Sequence, residues 1–225
     1  MVNPFAKAWF WMLDYVYVGT RQVRAWLAPA DPAPYRSGTA GLPPVLLLPG
    51  IYETWEFMKP VAERLHALGH PIHVVTDLGH NRATVPAAAA IVSDYLITHD
   101  LFGVMIVAHS KGGLIGKFVM MSPEAGARIA RTVAIATPFA GTSLARFTVL
   151  PSLRSFRPAD PVIRLLVEEE FVNARIISLF GSFDPHIPGG SELPGATNVS
   201  LPVSGHFRIM ADRVLLDEVV AAVGA

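Results

Sequence analysis

Short apolar runs that do not alternate with polar residues recur along the chain: Val45–Leu48, Ile72–Thr76, Val104–Ala108, Thr132–Ala136, Arg175–Gly181 and Thr197–Leu201. Runs of this length between turn-forming residues predict strands, and the lack of alternation predicts burial on both faces. Between them, helical spacing appears near 56–68, 86–98, 112–121 and 161–172, with a last stretch near 207–223. Parallel neighbours need a long crossover, usually a helix. The alternation therefore predicts an α/β domain with a mostly parallel central sheet flanked by helices.

Two segments break this rhythm. Residues 1–28 are rich in aromatics, and Phe5, Trp9, Met12, Val16, Val23 and Leu27 fall near one face of a helix, with Trp11, Tyr15 and Val18 on others. One reading is a helix packed on the domain through its apolar face. The other is a helix lying at a membrane interface, where Trp and Tyr suit the boundary, so that residues 5–27 make a peripheral membrane contact. Phe5 to Val18 is too short to span a bilayer and contains Lys7 and Asp14. It also has no small-residue cleavage site of the secretory kind, so a cytoplasmic protein, peripheral to a membrane in the second reading, is expected. Residues 29–44 form a Pro-rich connector, and 45–225 the main domain. The stretch 139–172 is longer than a sheet connection needs and reads as a short cap, or as extra core.

Composition narrows the classes. Of 225 residues, 52% are hydrophobic and 16% charged, enough for one large buried core. The 18 Lys and Arg balance the 18 Asp and Glu, and no basic stripe is present, which argues against a nucleic-acid partner. There is no cysteine, hence no disulfide, thiolate zinc site or cysteine nucleophile. No nucleotide-binding glycine loop occurs, and no cofactor is expected. His66, His70 and His73 are closely spaced, but on a helix, a turn and a strand without a neighbouring carboxylate, so no metal site is expected there. The positive mean hydropathy of +0.41 fits an apolar surface or one that meets lipid.

The chemistry starts at Val104–Gly113, where a strand ends in Ala108-His109-Ser110-Lys111-Gly112-Gly113. A strand, a sharp turn and a helix start would lift the Ser110 hydroxyl into a site, with small residues two places either side to relieve crowding. The plain alternative is a turn serine without chemistry. A serine nucleophile needs a base, an acid that orients the base, and N–H donors for the oxyanion. Lys111 offers its N–H at the helix start. The turn Pro49-Gly50-Ile51-Tyr52 after the first strand offers a second, from Ile51 first and Tyr52 next, unless it is only a Pro-Gly turn. Asp184 ends an apolar run and opens a Pro-rich loop, as an acid or as a turn former; Asp160 is a weaker rival. His206 follows one strand later and is the base. The order serine, acid, histidine at strand ends is that of one serine-hydrolase fold and not of others. Tyr52, Phe139 and His186 are candidates to contact substrate, with buried packing the alternative for Phe139 and loop capping for His186; His109 should point away from the nucleophile, and Asp77–Asn81 should serve loop structure, with substrate contact as the alternative.

Over about residues 43–223 the chain resembles α/β-hydrolase lipases and esterases. The likeness is carried by the elbow at 108–113, by Thr137-Pro138-Phe139-Ala140-Gly141-Thr142, by Asp184-Pro185-His186-Ile187-Pro188 and by Gly205-His206. Alanine in place of the elbow's first glycine and Lys111 after the serine depart from the usual pattern. The resemblance implies hydrolysis of carboxylic esters through a covalent acyl-enzyme, with a small ester or lipid as partner. Acyl transfer or thioester hydrolysis on the same fold, and a non-catalytic lipid- or membrane-binding homologue, are the alternatives.

Overall fold

The computed structural model describes residues 4–27 and 30–224, apart from the side chains of residues 4–8, 10 and 24–26. The side chain of Phe5, one of the predicted stripe positions, therefore lies outside the described ones. Six strands form one sheet: β1 (Val45–Leu48), β2 (Ile72–Val74), β3 (Val104–His109), β4 (Ile129–Ile135), β5 (Ile176–Phe183) and β6 (Thr197–Ser204). Their order is β2-β1-β3-β4-β5-β6 and every pairing is parallel. The order reverses at β1 and β3, so the ends of these two strands border the crevice where ligands bind in such sheets.

The continuous apolar runs have a direct reason. Successive side chains point to opposite faces, and both faces are covered. Leu46, Leu48, Ile106 and Ala108 pack in one core layer beneath α3 (Val85–Thr98) and α4 (Lys111–Met120). Leu47, Val107 and Val133 pack in the other, beneath α2 (Lys59–His66) and α8 (Arg213–Gly224). β6 is an edge strand with half its residues exposed, which tolerates Pro202.

Several boundaries differ from the sequence pattern. The last helical stretch is two pieces, a 3-10 turn at Arg208–Ala211 and then α8, because Asp212 is extended between them. α5 (Pro123–Ala127) is an added short helix. Within 139–172, α6 (Pro151–Arg154) and α7 (Pro161–Glu168) form, and α7 stops at the start of an acidic run. Within this segment Phe156, Ile163 and Leu166 are core, whereas Phe147, Val149 and Leu150 are exposed.

The N-terminal helix, α1 (Pro4–Leu27), is docked the other way round from the packed-helix expectation. Trp9, Met12, Val16, Val23 and Leu27 face outward, while Asp14 is buried and Tyr17 and Val18 pack against the second core layer. No described helix is long and apolar enough to cross a membrane.

Candidate active site

β3 ends at His109 and α4 begins at Lys111, leaving Ser110 alone in the turn at φ 50° and ψ −117°. That conformation is costly for a residue with a side chain and persists only when the surroundings hold it. Here the Ser110 N–H donates to the Ile135 carbonyl at 2.8 Å. A Cβ on Gly112 would overlap the Leu48 carbonyl, and one on Gly113 would overlap the Thr137 side chain. The two glycines thus let α4 close down on the end of β1 and on the 137–142 segment. This close approach brings the elbow against the turn that carries Ile51. Neither the Ile51 nor the Lys111 amide donates to another protein group among the described residues.

Ser110 Oγ lies 2.9 Å from His206 Nε2, and His206 Nδ1 lies 2.7 Å from Asp184 Oδ2. The other Asp184 oxygen accepts the N–H groups of His186 at 2.7 Å and Ile187 at 3.1 Å. A carboxylate only accepts, so Nδ1 carries the proton and Nε2 is left to accept from the serine hydroxyl. Burial by itself pushes the His206 imidazole down, but the Asp184 charge and hydrogen bond outweigh it and leave the ring above its ordinary value. For Asp184, burial acts upward, and the facing His206 charge and hydrogen bonds bring the net below the usual carboxylate value.

A second buried pair stands behind the first. Glu53 Oε2 accepts the Gly50 N–H at 2.7 Å and lies 2.9 Å from His109 Nδ1, while His109 Nε2 lies 2.9 Å from the His206 carbonyl. His109 therefore points away from the Ser110 hydroxyl and ties the turn after β1 to the loop that carries His206. A third contact to that loop comes from α1, where Asp14 accepts the N–H groups of His206, Phe207 and Arg208.

Ser110 and His206 open into a cavity of about 320 Å³. Its walls are mostly apolar: Ile51, Pro138 and Ile187 near the sheet, Leu144, Leu153 and Phe156 from the cap segment, and Phe207 beside the histidine. α1 supplies Tyr15, Val18 and Gln22. Tyr52 and His186 also line it; the Tyr52 hydroxyl is 2.5 Å from Ser152 Oγ, which fastens the turn to the cap. Burial first, and then the His206 charge, push the His186 ring down to about 4, so it is neutral at pH 7.

Phe139 does not line this cavity. It is 2% exposed and packs in the core layer under α3 and α4, because the 137–142 segment turns inward to meet Gly113. The Lys111 side chain also leaves the site: its ammonium donates to the Asn81 and Ala83 carbonyls, and burial lowers it to about 8. Asn81 in turn donates to the Pro49 carbonyl at 2.7 Å, so the loop after β2 braces the turn that carries Ile51. Asp160 caps α7 by accepting the Val162 N–H at 2.9 Å. His66, His70 and His73 lie in separate contacts, against the Tyr35 ring, the Pro43 carbonyl and the Tyr95 hydroxyl.

Asp14, Glu53 and the α1 wall of the cavity are the site features not anticipated from the sequence. The one usable signal for Asp14 is that it is the sole acidic residue in the 24 residues of α1.

No protein-family model matches the chain, and no curated protein sequence matches it. Solved structures do. Mouse alpha/beta hydrolase domain-containing protein 10 superposes with a TM-score of 0.59 at 17% identity, over 83% of this chain and 89% of the other. A hydrolase from Oleispira antarctica gives 0.59 at 14% identity, over 87% and 98%. A lipase from Bacillus licheniformis gives 0.58 at 15% identity, over 83% and 94%. At such identities the likeness shows the fold, and the fold is that of the α/β-hydrolases.

Proposed function

We propose that this α/β-hydrolase-fold chain is a serine-dependent carboxylic ester hydrolase that acts on apolar or lipid-like esters. The observation that carries the reading is the continuous hydrogen-bonded chain from Ser110 through His206 to Asp184, opening into an apolar cavity. His206 Nε2 takes the hydroxyl proton as Ser110 Oγ bonds to the ester carbonyl carbon. The carbonyl oxygen becomes an oxyanion, held by the Ile51 N–H in the turn after β1 and the Lys111 N–H at the start of α4. The bond to the alcohol oxygen breaks, and that oxygen receives the proton from His206. Water then attacks the acyl-enzyme with His206 again as base, freeing the acid and restoring Ser110. Asp184 keeps the imidazole in the tautomer this needs and stabilises its charged form.

A cavity of about 320 Å³ is at the small end for binding pockets, which fits an acyl chain of short to medium length. The outward apolar face of α1 and the exposed Phe147, Val149 and Leu150 of the cap belong to the two segments that wall the cavity. This favours esters presented from a lipid surface, because each segment exposes several large apolar residues and such clusters mark interaction surfaces.

The test is hydrolysis of a p-nitrophenyl ester series by wild type and Ser110→Ala. Wild type should be fastest on short to medium acyl chains, and loss of Ser110 should cost about 10⁴-fold or more in kcat. Equal, slow hydrolysis by both proteins would overturn the reading. Product analysis with competing alcohols and acyl thioesters separates hydrolysis from acyl transfer.

A further inference from the structure

We infer that Asp14, on the N-terminal helix, is the residue that positions the backbone of His206, and that α1 is therefore a working part of the active site. The inference rests on the reading of Ser110 and His206 given above.

Asp14 is 0% exposed, although it lies in a helix whose other face is largely open. Its carboxylate accepts three consecutive N–H groups, from His206 at 2.8 Å, Phe207 at 2.9 Å and Arg208 at 2.8 Å. Successive amides converging on one anion form a nest, and a buried carboxylate is tolerable only with such donors. The loop is shaped for it. Gly205 has φ +110°, and a Cβ there would stand 2.8 Å from Asp14 Oδ1. The His206 carbonyl, on the opposite side of the residue, meets His109 Nε2 at 2.9 Å. The peptide groups flanking His206 are thus gripped by α1 on one side and β3 on the other. Only the ring torsions remain, and Asp184 sets those. α1 also reaches the acid loop, since the Trp11 ring stacks on His186 with centroids 5.3 Å apart.

Asp14 acts on His206 in a second way. The carboxylates facing the imidazole are Asp184 in the loop after β5, Glu53 in the turn after β1 and Asp14 in α1, all of which raise its proton affinity. The His109 and His186 rings pack beside it and Arg208 follows it in its own segment. A residue that merely held α1 in place would act on the ring through its burial, and its loss would raise the His206 titration, the opposite of removing a neighbouring negative charge.

The experiment compares full-length wild type, Asp14→Asn and Asp14→Ala with p-nitrophenyl butyrate across pH. In parallel, the His206 ring is titrated by NMR in histidine-labelled protein, assigned with His206→Gln. Displacing a catalytic group by about 1 Å costs about 10²-fold, so Asp14→Ala should lower kcat by about that factor while KM stays within about twofold. Asp14→Asn keeps one acceptor oxygen but loses the charge; its acid limb in kcat/KM and its His206 titration should both move to lower pH. Folded Asp14→Ala with kcat within about threefold of wild type overturns the inference, as does an unmoved His206 titration in Asp14→Asn. If Asp14→Ala does not fold, the isosteric Asn variant decides alone. If wild type hydrolyses no ester, the functional reading fails, and the NMR titration still decides whether Asp14 acts on His206.

Discussion

Ser110, Asp184 and His206 share one property: each follows a strand of the same parallel sheet, where the chain must turn sharply. That property makes such residues readable in order along a sequence, since the strand, the small residues and the turn formers are all local. Gly112 shows how strictly local geometry is set. A methyl there would drive into the Leu48 carbonyl, so Gly112→Ala should destabilise the protein by about 1–3 kcal/mol and push the elbow off its turn. Urea denaturation and reactivity of Ser110 toward a fluorophosphonate probe measure the two effects. The His206 titration sets the pH dependence. Burial lowers the ring and Asp184 raises it further, so the net lies above 6.5. The base works in its neutral form; kcat/KM should therefore fall as pH drops through a midpoint above 6.5, read from a pH–rate profile. Asp14 and Glu53 escaped sequence reading for the converse reason. The amides that meet Asp14 lie at least 192 residues away and the ring that meets Glu53 lies 56 residues away, and no spacing rule marks such partners.

At the scale of elements, helical periodicity shows that α1 has an apolar stripe but not which way the stripe faces. Three hydrogen bonds to one carboxylate, with Tyr17 and Val18 packed beside it, orient the helix so that Trp9, Met12 and Val16 point outward. The same holds for the element joining β2 to α3. Its role depends on the Lys111 ammonium, which leaves the elbow to meet the Asn81 and Ala83 carbonyls. Lys111→Met removes both hydrogen bonds and leaves the buried Asn81 carbonyl without this donor, at a cost of about 1–3 kcal/mol. Its denaturation midpoint should fall, and kcat should fall with it, since Asn81 braces the turn that bears Ile51. The cap segment divides for a similar reason: Phe156, Ile163 and Leu166 find core partners, and Phe147 finds none.

On the scale of the whole molecule, the loops at the strand ends, the 139–172 segment and α1 together wall the cavity. A shortened chain beginning near residue 29 should lose activity even on a soluble short ester, because it lacks both Asp14 and the Tyr15–Val18 wall. The outward face is separable from that effect. Trp9→Ser with Val16→Ser should reduce sedimentation with lipid vesicles while kcat on a soluble ester stays within about twofold. Undiminished sedimentation would detach α1 from the lipid-surface part of the proposal. By itself the sequence determined the strand–helix alternation, hence the parallel α/β sheet, and the chain order of serine, acid and histidine, since these depend on local apolar runs and turn chemistry. Only the tertiary structure decided which side of α1 is buried, that Phe139 is core and not pocket, and that Asp14 and the Glu53–His109 pair grip the His206 peptide. The orientation of α1 and the grip on His206 depend on hydrogen bonds between residues 97 and 192 positions apart, and the place of Phe139 on apolar packing, because burial makes such groups find partners through space.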